Sequence, residues 1–166
     1  MRSGARSEVY DARVTNGAPY EPRPVLVSAC LLGRTCRYDG RHNDSDPLRA
    51  ALAARNETPI PFCPEEAGGL GTPRPPAWIE VESAARVLDG TSRVITDAGV
   101  DVTEGFVRGA QGALAACREH GARKAYLKER SPSCGVCNTH VGDTVVEGPG
   151  VTSELLRRNG IELESF

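Results

Sequence analysis

Apolar residues come in short bursts separated by turn formers, and the bursts alternate between strand-like and helix-like spacing. Val25-Leu26-Val27-Ser28-Ala29-Cys30 is a continuous run between Pro24 and Gly33. It predicts a buried strand that feeds a loop, with Cys30 at its C-terminal end. Asp44-Ser45-Asp46-Pro47 supplies an N-cap and a proline for a first helical turn, after which Leu48, Ala51 and Leu52 share one face. That helix is expected to end around Asn56. Ile60-Pro61-Phe62-Cys63-Pro64 is too short for a helix, and its prolines confine it to a strand end or a sheet edge.

Residues 68–76 are so rich in glycine and proline that they predict an irregular loop. A hairpin is expected next, from strand-forming residues at 78–82 and 86–88, with Asp89-Gly90 as a tight turn before Val94-Ile95. A long helix is predicted over 101–120. Asp101 and Glu104 have capping-box spacing, Phe106, Ala110, Leu114 and Cys117 form one stripe, and Gly121 is a natural stop. Residues 125–128 read as a strand leading into the turn-forming loop Ser131-Pro132-Ser133-Cys134-Gly135. A helix over 152–159 closed by Gly160 and a strand over 161–163 complete the chain.

Strands thus alternate with helices, which predicts an α/β fold with a mainly parallel sheet and flanking helices. The layering is Rossmann-like or flavodoxin-like, with a small hairpin insertion, and sites lie beyond the carboxyl ends of the strands. The 166 residues suit one domain. Residues 24–166 are expected to form it, preceded by an N-terminal extension over 1–23 that carries no sustained apolar period.

Composition narrows the function. A formal charge of -2 gives no basic field of the kind that holds a nucleic-acid backbone, so no polymeric nucleic acid is expected as partner. No stretch reaches the length of a membrane span, and the N-terminus has no signal-like apolar run, which together predict a cytoplasmic protein without membrane attachment. With aromatic residues at only 5%, no stacking platform for several bases is expected, while one small aromatic substrate fits.

Six cysteines in a reducing compartment point to metal binding or catalysis rather than to disulfides. Three of them, Cys30, Cys63 and Cys134, each follow a predicted strand, so the fold would deliver them to one edge of the sheet. Thiolates are the ligands of iron–sulfur clusters, and three of them on a four-iron cluster leave one iron open. Cys117 lies on the apolar stripe of the long helix and is assigned to packing. Cys36, in a polar loop, is a reserve ligand. Cys134 and Cys137 form a C-x-x-C pair that also fits a thiol oxidoreductase. Four cysteines closing a structural zinc site are the other alternative; His42, His120 and His140 lack the paired spacing of zinc ligands.

Ser28-Ala29-Cys30-Leu31-Leu32-Gly33, Cys36-Arg37-Tyr38-Asp39-Gly40, Pro61-Phe62-Cys63-Pro64-Glu65 and Ser131-Pro132-Ser133-Cys134-Gly135 together resemble the thiouracil desulfidase family. The resemblance covers residues 24–166. It implies a [4Fe-4S] cluster held by Cys30, Cys63 and Cys134, and removal of sulfur from a thiolated pyrimidine base such as 2-thiouracil, giving uracil and sulfide. It further implies a catalytic carboxylate at Glu65 and a hydroxyl lining the site at Ser131 or Ser133. Arg37, Tyr38 and Asp39 are candidates for substrate binding, although a turn closed by Asp39-Gly40 explains two of them without a ligand. Arg74, in the proline-rich loop, either touches substrate or is solvated.

Overall fold

The computed structural model describes residues 20–166, so the expected N-terminal extension lies almost wholly outside the described residues. In chain order the elements are β1 (Arg23–Ser28), α1 (Asp46–Ala54), β2 (Glu57–Phe62), α2 (Pro64–Ala67), β3 (Ala77–Ile79), α3 (Ala84–Leu88), β4 (Val94–Thr96), α4 (Thr103–His120), β5 (Lys124–Leu127), β6 (Asn138–Val141), β7 (Thr144–Glu147), α5 (Val151–Arg158) and β8 (Glu162–Ser165). A short 3-10 turn over Ala29–Leu32 follows β1.

Strands β2, β1, β5 and β8 lie side by side in that order, and every pair is parallel. The strand period of two sorts the residues of β1 between the faces of this sheet. Val25 and Val27 face one side, where they pack with Leu48 and Leu52 of α1 and with Tyr126. Leu26 faces the other, where it meets Ala113, Leu114 and Cys117 of α4 and Leu156 of α5. The result is the expected parallel sheet between helices. Ser45 caps α1 as its sequence predicts, accepting a hydrogen bond from the amide of Leu48 at 3.2 Å, and β2 is a sheet edge, which its prolines require.

The expected hairpin insertion is larger than a hairpin. It is a second four-stranded sheet, ordered β4, β3, β6, β7, with β3 antiparallel to β4 and parallel to β6. Residues 86–88 are not a strand but belong to α3. The Ser83 hydroxyl accepts from the amide of Arg86, and Ala84 and Val87, three apart, are both buried. The Asp89-Gly90 signal therefore stops a helix instead of turning a hairpin. The β6–β7 hairpin, closed by Gly142-Asp143, has the two-residue turn and β-branched flanks of its type but was not anticipated.

The capping box at Asp101 and Glu104 is not formed. Val102 is the N-cap of α4, the Asp101 carboxylate accepts from the Thr103 amide at 2.9 Å, and Glu104 turns outward to Arg108. Tertiary anchoring decides this boundary: the Val102 amide bonds to the carbonyl of Val94, and the Thr103 hydroxyl accepts from the amide of Val94. The far end follows expectation, with Gly121 in the left-handed conformation at φ 68°.

Glycines on α4 fix the position of α2. A Cβ at Gly109 would stand 2.0 Å from the carbonyl oxygen of Pro64, and one at Gly68 would stand 2.0 Å from the carbonyl oxygen of Gly105. The two backbones touch, so α2 and the residues beside it have no freedom to move inward. Replacing Gly109 by Ala raises helix propensity by roughly 1 kcal/mol. The clash is with backbone and cannot be relieved by a rotamer change, and overpacking of this kind costs about 1–3 kcal/mol. Gly109→Ala is therefore expected to lower the urea midpoint of the protein; a raised midpoint would show that α2 is not held by this contact.

Candidate functional site

The carboxyl ends of β1, β2 and β5 share one edge of the parallel sheet because the strands run the same way. Each is followed by a loop that carries cysteine. Beyond β1, the 3-10 turn places Cys30, and Gly33 ends the turn at φ 88°, a conformation that glycine adopts without cost. The chain then folds back to Cys36. Beyond β2, Cys63 is the N-cap of α2, directly before the proline that starts the helix. Beyond β5, the hydroxyl of Ser131 accepts from the amides of Ser133 at 3.2 Å and Cys134 at 3.0 Å, which winds the loop around Cys134.

Two further groups hold this last loop. The Glu129 carboxylate accepts from the backbone amides of Val136, Cys137 and Asn138, and the Ser153 hydroxyl of α5 donates to the carbonyl of Cys134 at 2.8 Å. Ser28, at the end of β1, accepts from the Lys128 amide at 3.0 Å and also hydrogen-bonds the Cys134 thiol, so it ties two strand ends to that cysteine.

Cys30, Cys36, Cys63 and Cys134 all line one cavity of about 480 Å³. Three of them form a chain of thiols. Cys36 is hydrogen-bonded to both Cys30 and Cys63. The bond from Cys36 lowers the Cys30 thiol below its ordinary value, against the effect of burial. Its partner moves the other way: the bond to Cys30, together with burial, pushes Cys36 up to about 11. Cys63 is also raised, first by its bond with Cys36 and then by burial. Cys134 is pushed up to about 12, chiefly by burial. Of the four thiols, Cys30 is thus the one whose proton is lost most readily, and a bound metal would displace the proton of each thiol that ligates it.

The other predicted residues divide. Glu65 lines the cavity, and its Oε2 accepts from Nε of Arg74 at 2.6 Å. Ser131 lines it too. Ser133 does not; it is wholly buried and shares a 2.8 Å hydrogen bond with Thr152. Arg37 and Tyr38 line the cavity, whereas Asp39 sits outside and pairs with Arg37 at 3.2 Å, which makes it a support for that side chain. Cys117 is buried among Ala113, Leu114 and Leu156, as packing requires. Cys137 is exposed and does not line the cavity, unlike its C-x-x-C neighbour Cys134.

Several lining residues were not foreseen. Trp78 and His140 come from the second sheet, and Lys128 from the end of β5. Trp78 and His140 were beyond reach because their positions depend on how the second sheet docks. Lys128 had a signal, its place directly after a predicted strand. Glu66 is a further unforeseen residue: a carboxylate oxygen of it and the sulfurs of Cys36 and Cys63 lie within 4.8 Å of one another. Its Oε1 accepts from the Thr72 hydroxyl, while Oε2 meets Arg34 at 2.7 Å as a charge contact without hydrogen-bond alignment.

The donor set is soft, four sulfurs in one cavity, and soft thiolate donors suit iron–sulfur clusters or zinc. Comparison with known proteins separates these. An uncharacterized protein of Bacillus subtilis (strain 168), YbbK, is 40% identical over 144 residues, 85% of this chain and 94% of its own length. The solved structure of a [4Fe-4S]-dependent thiouracil desulfidase, TudS, is 42% identical and superposes with a TM-score of 0.72, covering 86% of this chain and 90% of that one. The family described as 2-thiouracil desulfurase matches residues 25–165, a span that holds every cavity cysteine, and the chain belongs to that family.

Proposed function

We propose that this protein is a hydrolytic, [4Fe-4S]-dependent desulfidase that converts a thiolated pyrimidine base such as 2-thiouracil to uracil and sulfide. The observation that carries the reading is the convergence of Cys30, Cys36, Cys63 and Cys134 on one cavity from three different strand ends. Family membership favours it over a structural zinc module or a thiol oxidoreductase.

Cys30, Cys63 and Cys134 are the proposed cluster ligands. Cys36 is hydrogen-bonded to two of them, and ligands at separate corners of a cubane stand farther apart than hydrogen-bonded thiols do. In this reading Cys36 donates its S–H to a neighbouring ligand sulfur and remains the reserve ligand. Bound by three thiolates, a [4Fe-4S] cluster supplies one iron with an open position, a soft Lewis acid for the sulfur of a thiocarbonyl.

Exchanging sulfur for oxygen consumes one water, releases hydrogen sulfide and moves no electrons between substrate and protein. The residues then divide the proton work. Glu65 Oε2 is committed to Arg74, and among the described residues Oε1 accepts no hydrogen bond from the protein. That oxygen is the one to take a proton from the attacking water and return it to the departing group or the ring nitrogen. Ser131 Oγ already accepts two amide hydrogens, so its own O–H is what it offers the cavity, as a donor to the substrate. Trp78, Tyr38 and His140 all line the cavity and offer their rings to a flat base, and Arg37, held by Asp39 and Asn43, is the residue to orient it.

Among the described residues no helix is long and apolar enough to cross a membrane. All six cysteines are unpaired, which fits the reducing cytoplasm that we propose as its location, with a free small molecule as substrate.

Anaerobic reconstitution with iron and sulfide is expected to give a brown protein with about four irons per chain, which then releases uracil and sulfide from 2-thiouracil. A colourless protein with about one zinc and no iron would sink the proposal. Serine at Cys30, Cys63 or Cys134 is expected to abolish cluster retention, and Cys36→Ser to preserve it, read by iron content. Glu65→Gln is expected to keep iron at the wild-type level while kcat falls by about a hundredfold or more; full turnover would remove Glu65 from the mechanism.

A further inference from the structure

We propose that Arg74 is a positioning residue, one that aims the Glu65 carboxylate and locks the Cys36 loop beside it, rather than a contact for substrate. The inference rests on the desulfidase reading of the cavity and assigns a role within it.

Arg74 lies between two prolines in a segment without regular structure, where an arginine ordinarily reaches into solvent. Here its side chain is only 8% exposed. It lines the cavity, but four of its five side-chain N–H donors are engaged by the protein. Nε donates to Glu65 Oε2 at 2.6 Å, Nη2 to the carbonyl of Cys36 at 3.0 Å, and Nη1 to the carbonyl of Gly71 at 2.8 Å and the Thr72 hydroxyl at 3.2 Å. The Arg74 amide also donates to the carbonyl of Tyr38 at 2.9 Å. One residue thus joins α2, the loop after β1 and its own loop.

A guanidinium is planar and rigid, so hydrogen bonds on its different nitrogens fix the whole group and not just one distance. Fixing it fixes Glu65 Oε2, and the other oxygen is left as the one that can reach the cavity. The same plane holds the Cys36 carbonyl, which in turn accepts a hydrogen bond from the Cys63 thiol at 3.7 Å. The carboxylate and two of the cavity sulfurs therefore share a single support. Lysine cannot copy this, because an ammonium concentrates its donors at one point and cannot span the four acceptors. Since a misplacement of about 1 Å costs an enzyme on the order of a hundredfold in rate, the loss of the support should appear in turnover and not in binding.

The test compares Arg74→Met and Arg74→Lys with wild type and Glu65→Gln, each full-length and reconstituted anaerobically. Iron and sulfide content should match wild type in all four. For 2-thiouracil, Arg74→Met should lose about a hundredfold in kcat with KM changed less than about threefold, and Arg74→Lys should lie between. Added guanidinium ion at non-denaturing concentration should restore roughly tenfold to Arg74→Met and nothing to Glu65→Gln. Independently of turnover, amide exchange at Cys36 and Leu70 should quicken in Arg74→Met, because the Leu70 amide bonds to the carbonyl of Glu65. Wild-type kcat in Arg74→Met, a defect confined to KM, or a loss that only tracks missing iron would overturn the assignment. A wild-type protein that releases no uracil defeats the desulfidase reading instead, and unchanged exchange at Leu70 and Cys36 would then still defeat the positioning role.

Discussion

The parallel pairing of β1 with both β2 and β5 is the constraint from which the site follows. Three strands that run the same way must end at the same edge, and hydrogen bonding between them leaves their loops close together. Cys30, Cys63 and Cys134 are far apart in the chain, yet each needs only to sit in the loop after its strand to arrive at the cavity. An antiparallel pairing at either junction would send one sulfur to the opposite edge. Burial of β1 on both faces protects that pairing, since a slip of one residue would exchange Leu26 with Val25 and Val27 and expose the wrong set to each layer of helices.

Around this edge the protein relies on close backbone approach and on side chains that serve the backbone. Gly105 and Gly109 bring α4 against α2, which fixes Cys63 and Glu65. Ser131 and Glu129 wind the loop at Cys134 by accepting amide hydrogens, and Ser28 links two strand ends to the same thiol. Polar residues near a metal-binding cavity are easily read as reactants. Here several of them, Ser133 and Asp39 included, act on the chain or on a neighbouring side chain.

The sequence made the layered fold legible where local signals and tertiary structure agree: the apolar run of β1, the Ser45-capped α1, the stripe of α4 and its stop at Gly121. It misled where a local signal had two uses. Asp89-Gly90 closes a helix as readily as a hairpin, and only the burial of Ala84 and Val87 decides between them. Asp101 and Glu104 have the spacing of a capping box, but contacts with β4 set the start of α4 two residues later. Within the site, Cys30, Cys63 and Cys134 were legible because each lies in the loop that follows a strand. Trp78 and His140 were not, because they reach the cavity through the docking of one sheet on another. Arg74 shows the same limit: nothing in a proline-rich loop announces that its only charge is buried.

The cavity has two walls of different origin. The sulfurs come from loops of the parallel sheet, whereas Trp78, His140 and Gly142 come from the sheet built between β2 and α5. The two sheets thereby contribute different kinds of side chain to one cavity. The character of that second wall is therefore set by a sheet that holds none of the four cavity sulfurs.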